Sequence, residues 1–228
     1  MHHRLLHRGA AVSAARVRAE GARLLALLLV VAPATILTTL SCSDDAAGSC
    51  DPDCAPCVGE TCEEICLEGA CDLQCDQGAD CDLDCQGESC TLDCQGKSDC
   101  SAECQVGGNC DVSCEGQSTC AVDCSAGGDC DLDCAGGSDC DVTCIEGCGG
   151  GCTGNSNCTM QCETGCGIGC TGNGTCTLAC KSDCFVCCSG SGQCELTCTE
   201  AEVMDCGGGI KACGTCPPAD ACELSGAK

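Results

Sequence analysis

The sequence predicts an all-β, partly irregular and disulfide-rich fold: a short-strand repeat stack in the form of a flattened β-solenoid, with an antiparallel β-meander as the alternative. Three observations lead there. Cysteine supplies 39 of the 228 residues, while Trp and Tyr are absent and a single Phe remains. That much cysteine marks a disulfide scaffold, and the rings that normally dominate an apolar core are missing. A unit Cys-x-[Leu/Val]-x-Cys followed by a Gly-rich turn recurs, with first cysteines at positions 90, 100, 110, 120, 130 and 140. Self-similarity at a short fixed period is the signature of a repeat architecture.

Inside each unit the order is Cys, polar, apolar, polar, Cys, as in Cys110-Asp-Val-Ser-Cys114, Cys120-Ala-Val-Asp-Cys124 and Cys130-Asp-Leu-Asp-Cys134. Period two is strand periodicity, so both cysteines and the central residue share one face and the polar pair takes the other. Between Cys50 and Cys198 there are 16 such pairs, and the central residue is apolar in 13 of them, which makes accident an implausible origin. Turns such as Gln95-Gly96-Lys97-Ser98-Asp99 interrupt the chain too often for a helix to propagate. From Cys144 to Cys188 the turns shorten, Gly150 takes a central position, and the repeat is expected to degrade.

Strand geometry then limits the bonding. Two cysteines four apart on one strand are separated by roughly 13 Å, whereas a disulfide needs Cα atoms within about 7 Å. Cys90 therefore does not bond Cys94, nor Cys100 Cys104, Cys110 Cys114, Cys120 Cys124, Cys130 Cys134 or Cys140 Cys144. In a solenoid the bonds join facing or stacked strands. In a meander the second cysteine of one strand meets the first of the next across the turn, such as Cys114 with Cys120. One-sided patterning at an almost constant period favours the solenoid. In this logic the unit resembles the disulfide-threaded β-solenoids of insect antifreeze proteins, whose repeats are longer.

The stretch from Met1 to Arg23 holds all five arginines and all three histidines, and an uncharged, strongly apolar run follows from Leu24 to Ser43. A basic stretch before an apolar one is the form of a secretory signal. Thr39-Leu40-Ser41-Cys42 resembles a bacterial lipobox, with Thr39 standing where that motif carries Leu. The resemblance implies a signal over 1–41, a lipid on Cys42, and a membrane-anchored lipoprotein at the cell envelope; a soluble secreted form is the alternative. The expected organisation continues with a polar tether over 42–49, the repeat scaffold over 50–198 and a cysteine-containing C-terminal cap over 199–228. With Cys42 lipidated, 38 cysteines remain, enough for 19 bridges.

Beyond residue 42 four lysines face 34 acidic residues, a net charge of −30. Nucleic acid is excluded as a partner, since no basic surface exists to release its counterions. No His or Arg follows Arg23, so Ser-His-Asp and Cys-His catalysis and mixed Cys/His zinc sites cannot be built there. Three Cys-x-x-Cys motifs, Cys54–Cys57, Cys184–Cys187 and Cys213–Cys216, lack the βαβ context of a redox pair and read as structural bridges. Metallothionein-like thiolate binding is the cysteine-based rival, although no Cys-x-Cys occurs. The carboxylate rival is calcium: Asp82, Asp84, Asp131 and Asp133 point outward, and stacking would align them into ladders that a hard divalent cation relieves. The expectation is thus a non-enzymatic, exported scaffold with no cofactor, or alternatively a module for divalent cations.

Overall fold

The computed structural model describes residues 56–67, 69–105, 107–218 and 220–224. Its strands alternate between two sheets. The eight-stranded sheet holds β2 (Thr61–Cys66), β4 (Asp80–Cys85), β6 (Asp99–Cys104), β8 (Thr119–Cys124), β10 (Asp139–Cys144), β12 (Asn157–Gln161), β14 (Thr175–Cys180) and β16 (Gln193–Cys198). The facing, longer sheet stacks β1 (Cys57–Val58), β3 (Ala70–Asp76), β5 (Ser89–Cys94), β7 (Asn109–Cys114), β9 (Asp129–Cys134), β11 (Gly149–Cys152), β13 (Gly167–Cys170) and β15 (Phe185–Cys188). From β1 to β14 each strand pairs in parallel with the strand two further along, Cys90 on Cys110 and Cys140 on Cys158. The fold is therefore a two-sided β-solenoid. Consecutive strands face each other across the core instead of hydrogen-bonding side by side, which removes the meander.

Cysteine spacing sets the coil length. In-register partners are Cys62 with Cys81, Cys90 with Cys110, and Cys140 with Cys158, so the coil changes slightly in length while its edges stay aligned. The expected decay after Cys144 does not occur: β11, β13 and β15 keep the register, Cys152 on Cys170 on Cys188. What changes there is regular. The turn after each strand of the eight-stranded sheet shortens to three residues, as in Ile145-Glu146-Gly147, while the opposite turn keeps five.

The core is three side chains wide. Cysteines line both edges, and a central column runs through Leu73, Leu92, Val112, Leu132, Ile168 and Val186 on one side and Leu83, Val122, Val142, Met160 and Leu178 on the other, all buried. Disulfides hold the edges at 6.0–6.5 Å between Cα atoms. Ordinary sheets pack about 10 Å apart, so the missing aromatic rings follow from the width of the space.

The two kinds of turn differ. Those leaving β3, β5, β7 and β9 of the longer sheet place two successive residues at positive φ, such as Gly96 (65°) with Lys97 (75°) and Gly136 (74°) with Gly137 (91°), a conformation for which Gly at one or both positions is suited. A buried serine then closes the turn: Ser98, Ser118 and Ser138 donate through Oγ to the carbonyls of Gln95, Glu115 and Ala135 at 2.6–2.7 Å. Both kinds of turn stack glycine on glycine, Gly136 on Gly116 in one and Gly128 on Gly108 in the other. A Cβ on Gly128 would press into the backbone oxygen of Gly108 in the coil before. Gly128→Ala is expected to cost about 1–3 kcal/mol locally. Hydrogen exchange should show it as faster loss of amide protection in β7 and β9 than in β14.

The two ends differ from the middle. At the first coil Glu64 occupies the central column and is only half-buried, with Val58, Ile65 and Leu67 exposed around it. Among the described residues β2 is an edge of its sheet, and charge on an edge strand opposes further strand addition. At the other end β17 (Val203–Gly207) and β18 (Ile210–Cys213) form an antiparallel pair, and β18 runs antiparallel to β15. A single helical turn, α1 (Ala221–Leu224), is tied to β15 through Cys187–Cys222.

Candidate functional site

Two features of this stack carry chemistry, the cysteine rows and the acidic outer faces. All cysteines among the described residues are disulfide-bonded. Fifteen of the bonds join consecutive strands across the core. One edge carries 57–62, 75–81, 94–100, 114–120, 134–140, 152–158, 170–176 and 188–194. The other carries 66–71, 85–90, 104–110, 124–130, 144–148, 162–166 and 180–184. Every bond respects the strand-length limit, because none joins the two cysteines of one strand. Cys114 and Cys120, the pair expected of a meander, are bonded here inside a solenoid.

The remaining three bonds, 187–222, 198–213 and 206–216, tie down the C-terminal end. None of the three Cys-x-x-Cys motifs is bonded within itself: Cys57 pairs with Cys62, Cys184 with Cys180, Cys187 with Cys222, Cys213 with Cys198 and Cys216 with Cys206. Cys42, Cys50 and Cys54 lie outside the described residues, as do the signal and the tether.

The four aspartates singled out in the sequence separate into two places. Asp82 and Asp84 stand on the outer face of the eight-stranded sheet, and Asp131 and Asp133 on the outer face of the other. Stacking gives each different neighbours. Asp82 lies between Glu63 and Ser101, whose hydroxyl donates to its Oδ1 at 2.6 Å, and Asp84 lies between Ile65 and Glu103. Asp133 lies between Ser113 and Gly151, and Asp131 between Asp111 and Gly149. Carboxylates therefore meet in short runs separated by neutral residues.

Local amides serve several of these carboxylates. Gln86, Gln95 and Gln105 each follow an acid by two positions and donate to Asp84, Asp93 and Glu103 at 2.7–3.0 Å. The pattern acid-Cys-Gln repeats in the sequence at 84–86, 93–95 and 103–105, a signal that sequence reasoning missed. The second oxygen of Asp84, Oδ1, is buried without a hydrogen-bond partner in the protein.

Asp131 is exposed on its strand, in register with the carboxylate of Asp111. It lines a shallow depression of about 640 Å³ together with Asn109, Asp111, Asp129 and Gly147. Desolvation, then the charges of Asp111 and Asp133, hold its carboxyl above the ordinary 3.8. A raised carboxyl favours the native state while protonated, so this contribution is complete below about pH 3.8 and is lost as pH rises through the folded value. Asp131→Asn is accordingly expected to stabilise at pH 7 by less than about 0.5 kcal/mol, with the difference vanishing near pH 3. Hydrogen-exchange protection in β9 at the two pH values checks it.

Among the described residues no helix is long and apolar enough to cross a membrane. The geometry defines a class: an all-β solenoid stapled across its core by two rows of disulfides. No protein-family model matches the chain, and no curated protein or solved structure matches it either.

Proposed function

We propose that this chain is an exported, non-enzymatic structural or surface scaffold, held at the cell envelope by a lipid on Cys42. The observation that carries this reading is the commitment of every described cysteine to a disulfide. Such bonds persist in oxidising compartments outside the cytosol, and a basic-then-apolar N-terminus is the address for one. Beyond those paired cysteines, Cys42, Cys50 and Cys54 are left, an odd number that accommodates one bridge and one modified cysteine. The role follows from the physical character of the stack, narrow, cross-linked at each coil and acidic on both faces. Such a body resists proteolysis and presents a hydrated, negatively charged surface.

A second reading is favoured by the alignment of Asp111 with Asp131, where two carboxylates stack in register. Divalent cations, calcium first, would collect along that face and lower the Asp131 carboxyl toward its ordinary value.

Intact mass of natively purified protein, before and after reduction and alkylation, tests the first reading. The expected native form is lighter than the thiol form by two hydrogens for each of 19 bridges and carries an acyl increment on Cys42. Free thiols with bound zinc or copper would overturn it in favour of thiolate metal binding.

A further inference from the structure

The two cysteine rows are more than separate staples, because neighbouring rungs touch. The Sγ atoms of Cys75, Cys81 and Cys100 all lie within 4.8 Å of one another, although Cys100 belongs to the next bond along the edge. The same holds for Cys94, Cys100 and Cys120, and for Cys114, Cys120 and Cys140. On the opposite edge Cys104 and Cys110 stand equally near Cys130. Between the rungs 144–148 and 162–166, the Cys144 and Cys166 sulfurs are 3.9 Å apart and buried. Parallel in-register strands bring stacked cysteines to within the Cα range that a disulfide tolerates.

We infer that each row is a path for thiol–disulfide exchange, along which a thiol formed at one rung migrates to its neighbours without leaving the core. The step conserves bonds. Suppose a soluble dithiol reductant opens Cys104–Cys110: it supplies two electrons, becomes a cyclic disulfide, and leaves two thiols. The Cys110 thiolate attacks the sulfur of Cys130, its in-register neighbour one coil on, the Cys110–Cys130 bond forms, the Cys124–Cys130 bond breaks, and Cys124 leaves as a thiolate that takes up the proton. The numbers of disulfides and of thiols are unchanged, and the thiol has moved one rung.

Burial in an apolar row raises thiol pKa values and slows each step, so migration belongs to the minutes-to-hours range of uncatalysed rearrangement. The apolar column of Leu92, Val112 and Val142 separates the two rows, so a thiol stays on its own edge. A mispaired rung formed during oxidation is then corrected from a neighbour, and local reductive damage spreads over the row.

The test uses the full chain with Cys104→Ser, which leaves Cys110 without its native partner. After incubation, acid quench and alkylation in denaturant, mass mapping locates the label. Migration predicts more label on the other cysteines of that row, Cys124 and Cys148 among them, than on Cys110, together with a Cys110–Cys130 cross-link. Label confined to Cys110 overturns the proposal. A second variant, Cys158→Ser on the other edge, should spread label only over that edge; label across both rows means scrambling during folding and also overturns it. Should either variant fail to fold, the intact protein treated with less than one equivalent of dithiothreitol gives the same readout. Thiols that remain paired at one rung over time count against migration, and thiols that move along one edge support it.

Discussion

Full reduction of the purified protein is expected to abolish its β-sheet circular dichroism, and a chelator such as EDTA is expected to leave it intact. The reason is the narrowness of the core. Each cross-core bond closes a loop of four to six residues. In the chain-entropy account such a loop contributes about 2 kcal/mol, so a handful already matches the roughly 5–15 kcal/mol of an ordinary domain. Take all of them away, and one apolar side chain per strand must hold each coil in place. A retained β signal after complete alkylation would show that the central column and the backbone ladder suffice. Loss of the signal on chelation alone would transfer the structural role to a bound cation.

Leu92→Ala is the point substitution expected to weaken the stack most, by about 2–5 kcal/mol and toward the upper part of that range. Leu92 is fully buried between Leu73 and Val112 in its own sheet. The cost of a large-to-small change depends on how far the surroundings collapse into the cavity. Here the bonds 85–90 and 94–100 flank the site and hold the two sheets apart, so little collapse is available. Stability in a stacked repeat is local, and hydrogen exchange should therefore show the loss in β3, β5 and β7 while β14 and β16 keep their protection. A uniform loss along the chain would mean that the stack unfolds as one cooperative unit.

Much of this architecture is legible in the residues. Period two within Cys-x-[Leu/Val]-x-Cys sets the strands and their inward face, and the strand length between Cys110 and Cys114 rules out a bond between them. Solenoid and meander are harder to separate, because both allow Cys114 to meet Cys120. They differ in which strands share hydrogen bonds, and a single unit carries no record of that. The record lies in the turns, which alternate. Gly-x-Ser-x-Cys recurs with buried serines at Ser98, Ser118, Ser138 and Ser156, while the intervening turns bury none. The structural repeat is two units long, and the alternating turn lengths after Cys144, which resemble decay in the sequence, are the same signal in another form.

The outer faces are less legible. Which acids become neighbours depends on residues a full coil apart, a relation that appears only once the coil length is known. Asp131 and Asp111 come together for that reason, while Asp133 finds Ser113.

The fifteen cross-core bonds all run across the stack, between consecutive strands, and none of them joins stacked strands of one sheet. Along its axis the body is held by backbone hydrogen bonds, side-chain packing and the continuous chain. Pulled from its two ends, it should peel coil by coil, each detachment lengthening the tether by on the order of 40 Å, since the disulfides short-circuit the turns. The same coil without its bonds would extend by roughly 65 Å. The staples thus limit how far the chain extends under load, while the hydrogen bonds between coils set the force at which it starts to give.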